Sequence, residues 1–204
     1  CGITTEELYQ YFDKSIAELA DSYGYSIEET KELLRLQYDG YHFGRKLTDI
    51  YNPFSLLNVF ASQNIQDYWF RSGTPTYLVR LLKHNKENLN DLTGKYYDPS
   101  QFVDYKADME MPLPMIYQSG YLTIKGYNMR QNTFLLDFPN NEVKKGFVTI
   151  VANDYLHTKT DAGSWARDIV NALEAGDTEK FRKLLTSFLA DIPYTMRRKE
   201  DERE

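Results

Sequence analysis

Tyr38-Asp39-Gly40-Tyr41-His42-Phe43-Gly44, followed by Tyr51-Asn52-Pro53-Phe54-Ser55-Leu56-Leu57, sets the reading of this chain. It gathers turn residues, aromatic rings and one of the chain's three histidines. Asp39-Gly40 is a turn signal, because glycine adopts a positive φ without steric penalty. Tyr41–Phe43 and Ile50–Tyr51 are short aromatic or β-branched runs, and residues 44–49 between them read as a hairpin loop. Asn52-Pro53 then starts a helix, with asparagine as N-cap and proline at the first helical position. A small hairpin between two helices is the expectation. Either its aromatics pack it onto its neighbours, or Tyr38, Asp39, Tyr41, His42, Tyr51 and Asn52 face a ligand or a docked domain.

Upstream, Thr4 and Glu7 form a capping box, and Leu8, Phe12, Ile16, Leu19 and Tyr23 recur at helical spacing up to Gly24. Ser26 and Glu29 repeat the capping box and open a helix carrying Leu33, Leu34 and Leu36. Two helices joined at Tyr23-Gly24-Tyr25 make an α-hairpin, with their apolar residues as core.

Downstream, residues 53–61 read as a helix, Tyr68-Trp69-Phe70 as an aromatic anchor, and Thr74-Pro75 as the start of another helix. Arg71, Arg80, Lys83 and Lys86 make this the most basic part of the chain. They read as a solvated face, or, for Arg71, Arg80 and Lys83, as contacts to phosphate. Residues 84–111 are polar and weakly periodic, with short strands expected near Lys95–Tyr97 and Phe102–Tyr105 and an internal boundary. Pro112–Ser119 reads as a helix closed by Gly120. Tyr121–Gly126 and Thr133–Phe138 read as two strands joined by a polar turn. Pro139-Asn140-Asn141 then supplies a stop and an N-cap for a helix to about Leu156. A last helix pair, 164–175 and 178–190, turns at Gly176-Asp177, and residues 196–204 are a charged tail.

The chain has 204 residues, enough for one large domain or two small ones. Its net charge of −6 argues against standalone nucleic-acid binding, which needs clustered cations to displace counterions. The 17 tyrosines suggest amphipathic contact surfaces. A single cysteine excludes an internal disulfide and fits the cytoplasm; no run is apolar enough for a membrane span. Beginning at Cys1, almost at a helix, the chain reads as a piece of a longer protein.

The blocks Tyr38–Gly44, Tyr51–Leu57, Tyr68–Leu78, Tyr117–Lys125 and Phe138–Val143 resemble a bacterial AAA-ATPase-like family. In that family an ATPase-like domain usually precedes a PD-(D/E)xK nuclease-like domain. The resemblance implies that residues 1–90 are a helical, lid-like part of the ATPase-like domain. It also implies that the phosphate loop and Mg²⁺ carboxylates lie upstream and the nuclease core downstream. ATP, Mg²⁺ and nucleic acid would then belong to the full-length protein, whose ATPase core and nuclease-like domain are this chain's expected partners.

The residues agree with a non-catalytic role. No glycine-rich phosphate loop ending in lysine and serine or threonine occurs. The three histidines and one cysteine lack zinc-site spacing. Glu142-Val143-Lys144 mimics an E-x-K motif, but at a helix start its two charged side chains diverge. The expected fold is mainly α with two small β-hairpins: a lid-like part, then a winged-helix-like helix, hairpin and helix over about 110–195. Three functions follow: a segment coupling a nucleotide-binding core to a nuclease-like domain, a protein-interaction scaffold, or a DNA-contacting winged-helix module.

Overall fold

The computed structural model describes residues 2–69, 92–103, 112–156 and 162–191. Among them the fold is mainly helical, with two small antiparallel sheets. The chain divides into two compact units, residues 1–147 and 148–204.

The first unit opens with β1 (Ile3–Thr4) and α1 (Thr5–Tyr11). The Thr4 hydroxyl accepts from Glu7 N, and Glu7 returns a bond to Thr4 N, as the capping box requires. The single helix expected through Tyr23 is instead broken at Phe12, whose backbone leaves helical geometry at φ −122° and ψ 19°. Phe12 stacks on Phe60, 5.4 Å away between ring centroids, so the break serves a tertiary contact. From there α2 (Asp13–Tyr23) runs to Gly24, which closes it at φ +68°. The second capping box, Ser26 with Glu29, starts α3 (Ile27–Tyr38). α4 (Pro53–Ser62) is capped by Asn52, whose Oδ1 accepts from Phe54 N.

These helices enclose a core of Leu8, Ile16, Leu19, Leu34, Tyr38, Tyr51, Leu56, Val59 and Tyr68. Leu33 and Leu36, expected in it, are exposed, because α3 turns its Thr30, Leu34 and Tyr38 face inward.

The first hairpin is narrower than expected. Tyr41 and Ile50 exchange both backbone bonds, at 3.2 and 3.1 Å, and the pairing stops there. β2 (Ile50–Tyr51) pairs with β1. On its side away from β2, His42 is bound to the second sheet: its N–H donates to Thr123 Oγ1 and its carbonyl accepts from that same hydroxyl.

The second sheet has strand order β3-β5-β4, built from β3 (Lys95–Tyr97), β4 (Thr123–Asn128) and β5 (Thr133–Asp137). Phe102, expected in a strand, ends the short helix α5 (Pro99–Phe102). Asp98 and Gln101 form a capping box around Pro99, and that local chemistry outweighs the β propensity of the aromatic residue. α6 (Pro112–Gln118) precedes β4, and α7 (Asn141–Leu156) follows β5. β3, from the described part of the polar stretch, pairs with β5, and the two compact units divide within α7.

The second unit contains the antiparallel-type helix pair expected from its turn, α8 (Ala162–Glu174) and α9 (Thr178–Asp191). Asp177 caps α9 by accepting from Lys180 N, and Trp165 Nε1 donates to the Leu184 carbonyl.

Candidate functional site

Asp39 to Phe43 is where the N-terminal helices meet the second sheet. His42 is buried, and both ring nitrogens contact acceptors: the Ile124 carbonyl at 2.6 Å and Asp49 Oδ1 at 2.7 Å. With the Thr123 hydroxyl bridging its backbone, His42 holds four contacts, three of them to Thr123 and Ile124. Asn140 Nδ2 donates to the Asp39 carbonyl at 3.0 Å, while its Oδ1 caps α7 through Val143 N.

β4 bulges between Ile124 and Gly126, leaving Lys125 outside the register. A bulge re-aims its side chain. Here the Lys125 ammonium donates to the carbonyls of Gly40 and Pro139, each at 2.8 Å. Burial pulls its pKa down, against the opposing effect of Asp49, Asp39 and Asp137. Lys125, which with Arg130 makes up the cations of the β4–β5 hairpin, is thus turned inward.

Glu142, in the first turn of α7, is fully buried. Its Oε1 accepts from Tyr68 N at 2.6 Å and Trp69 N at 2.9 Å, and its Oε2 from Ser55 Oγ at 2.7 Å. Desolvation raises its pKa, and the three donors oppose that shift. The E-x-K geometry does not form: Glu142 points into the helices, while Lys144 lines a separate polar pocket. Sequence reading missed Glu142 as a structural hub. The available signal was an acid beside the asparagine cap, at the head of an apolar helix.

Two concavities flank this junction. A cleft of about 450 Å³ is lined by Tyr41, His42, Tyr51 and Asn52 together with Trp69, Tyr117 and residues 118–120. The Tyr41 hydroxyl donates to the Gly120 carbonyl at 3.2 Å across it. Trp69 meets Tyr121 edge-on at 4.8 Å, and burial pushes the Tyr121 phenol up to about 12. A smaller pocket of about 300 Å³ is polar, with Arg35, Asp39, Asp49, Lys125, Asp137 and Lys144 in its wall. Burial raises the Asp39 pKa, and Asp39 Oδ1 has no hydrogen-bond partner among the described residues.

Of the six residues expected on a docking or ligand-facing surface, Tyr41, His42, Tyr51 and Asn52 line the larger cleft and Asp39 the smaller pocket. Tyr38 faces the helical core instead, its hydroxyl donating to the Gln66 carbonyl and accepting from Gln66 N. Arg71, Arg80 and Lys83 lie outside the described residues. Among the described residues, no group of three or more acidic, histidine or cysteine side chains could hold a metal ion. Among them, too, no helix is long and apolar enough to cross a membrane.

No protein-family model and no solved structure matches the chain. Among curated proteins it is similar to the uncharacterized protein in the vnfD 5' region of Azotobacter chroococcum mcd 1. The two are 29% identical over 167 residues, 80% of this chain and 32% of the relative. The chain therefore spans about a third of that relative's length.

Proposed function

We propose that this chain is a non-catalytic coupling segment of a longer ATPase-like protein, set between its nucleotide-binding core and a downstream nuclease-like domain. The family assignment comes from the sequence blocks. The mechanical part is supported by one observation: the Tyr38–Gly44 segment is fastened to residues 120–142 by buried polar bonds. Glu142 ties the same region to α4 and to Tyr68-Trp69. A body whose halves are joined by satisfied buried polar groups resists shear between them and passes on a displacement as a unit.

Hydrogen exchange on the full-length protein tests this. Adding MgATP should change protection in residues 38–44 and 120–142 together. Thr123→Val, which removes both hydroxyl bonds to His42, should make the two segments respond separately. The purified 204-residue chain should release no phosphate from ATP. Hydrolysis abolished by a mutation within it would end the non-catalytic assignment.

The DNA-contacting alternative is weakened by the inward turn of Lys125, which leaves Arg130 as the wing's exposed cation. The scaffold alternative draws on the exposed Phe43, Phe54 and Leu57. Full-length protein whose protection is indifferent to nucleotide would favour it.

A further inference from the structure

The larger cleft is not explained by coupling. Its volume of about 450 Å³ lies in the range typical of small-molecule sites. Tyr41 and Phe43 hold their rings within 9° of parallel, with centroids 6.5 Å apart. Phe43 is nevertheless 73% exposed, so one aromatic face is presented rather than packed. Parallel rings with a free face orient a flat guest by stacking. Trp69 and Tyr117 extend the aromatic wall.

The polar lining is specific as well. No lysine, arginine, aspartate or glutamate borders the cleft among the described residues, and the His42 ring is engaged at both nitrogens. Asn52 Oδ1 is taken by the helix cap, which leaves its amide N–H groups as donors. The hydroxyls of Tyr117 and Ser119 have no side-chain hydrogen-bond partner among the described residues. A neutral wall with a free amide donor and two free hydroxyls matches a guest that is planar, uncharged and carries acceptors on its edge.

We propose that this cleft binds a neutral heteroaromatic ring, stacked against Phe43 and Tyr41 and hydrogen-bonded at its edge by Asn52, Ser119 or Tyr117. Among the described residues a phosphate or carboxylate on the guest would find no counter-charge there, and it would weaken binding. An indole ring donates but does not accept, so a tryptophan side chain of a peptide is a poorer match than a nucleobase or pyridine-type ring.

The test uses the whole 204-residue chain carrying Trp165→Phe, which leaves Trp69 as its one tryptophan fluorophore. Cytidine, adenosine and nicotinamide are titrated beside cytidine monophosphate and nicotinate by Trp69 emission, and N-acetyltryptophanamide, itself fluorescent, is compared with them by isothermal titration calorimetry. At least one neutral heteroaromatic should change Trp69 emission saturably, with its charged counterpart and the tryptophan amide about tenfold weaker. Phe43→Ala should weaken the response about tenfold, since it removes an exposed ring rather than core. Asn52→Asp keeps an oxygen for the α4 cap but deletes the amide donor, and should weaken binding while the helix signal in circular dichroism stays unchanged. The proposal fails if no neutral compound saturates by about 10 mM, or if the charged counterpart binds equally well. It also fails if both variants bind as the parent does. Saturation by the tryptophan amide alone would overturn it in favour of peptide docking.

Discussion

Glu142 accepts three hydrogen bonds and, among the described residues, has no cation bonded to it, so its protonation is linked to folding. Burial raises its pKa above the ordinary glutamate value of 4.5, and the folded state therefore holds the proton more tightly than the unfolded chain. Stability from this residue is fully present below 4.5 and is lost as pH rises through the raised native value. A glutamine can accept at Oε1 from Tyr68 and Trp69 and donate to Ser55, reproducing the neutral form. Glu142→Gln should thus stay within about 1 kcal/mol of the parent in urea unfolding and flatten its pH dependence. Asp39, raised in the same direction, leaves a residual slope of the same sign. Glu142→Ala should lose about 2–4 kcal/mol, because two buried N–H groups and a hydroxyl lose their acceptor. Gly40 is a second sensitive point. Its φ is +90°, and an added Cβ would lie 2.4 Å from the Pro139 carbonyl oxygen and 2.6 Å from Lys125 Nζ. Gly40→Ala should lower stability by about 2 kcal/mol or more, measured by the urea midpoint at unchanged slope.

At the scale of elements, the β4–β5 hairpin is held to the N-terminal helices through a bulged lysine. Lys125→Met should remove about 1–3 kcal/mol of stability, since the Gly40 and Pro139 carbonyls lose a charged donor. Arg130→Ala, at the exposed turn, should change the thermal midpoint by no more than a degree or two. What the sequence made legible here was local. Thr4 with Glu7, Ser26 with Glu29, Asn52-Pro53, Asn140 and Asp177 announce helix starts because cap and partner lie within three residues. What stayed hidden depends on distant partners. The break at Phe12 follows from stacking on Phe60, and the strand Ile50–Tyr51 finds Ile3–Thr4. Glu142 reads as an ordinary first-turn acid until Ser55 and Tyr68 are seen to converge on it. Four of the six residues singled out around the first hairpin do share one cleft, because an aromatic, turn-rich segment packs irregularly and leaves concave surface. Their partners on residues 117–124 could not be read from the segment itself.

For the whole molecule, the boundary expected between 90 and 110 matters experimentally. A chain cut to residues 1–90 would keep the helical core but lose Thr123, Lys125, Asn140 and Glu142, the groups that satisfy Asp39, Gly40, His42, Ser55 and the Tyr68-Trp69 backbone. Such a truncation should show helical circular dichroism without a cooperative urea transition, whereas the full chain should show one. A sharp, two-state transition in the short chain would mean that the helical core is self-sufficient.

The long separation of these partners also orders events in time. Asp39 waits for Asn140, 101 residues later, and Tyr68 waits 74 residues for its carboxylate. At roughly 5–20 residues per second of synthesis, the first interval lasts roughly 5–20 s, during which the early helices carry open backbone donors and an uncovered aromatic face. That interval is a window for chaperone capture or for pairing with a second nascent chain. Slow codons placed before residue 140 would lengthen it and lower the soluble yield, and swapping them for fast ones would restore it.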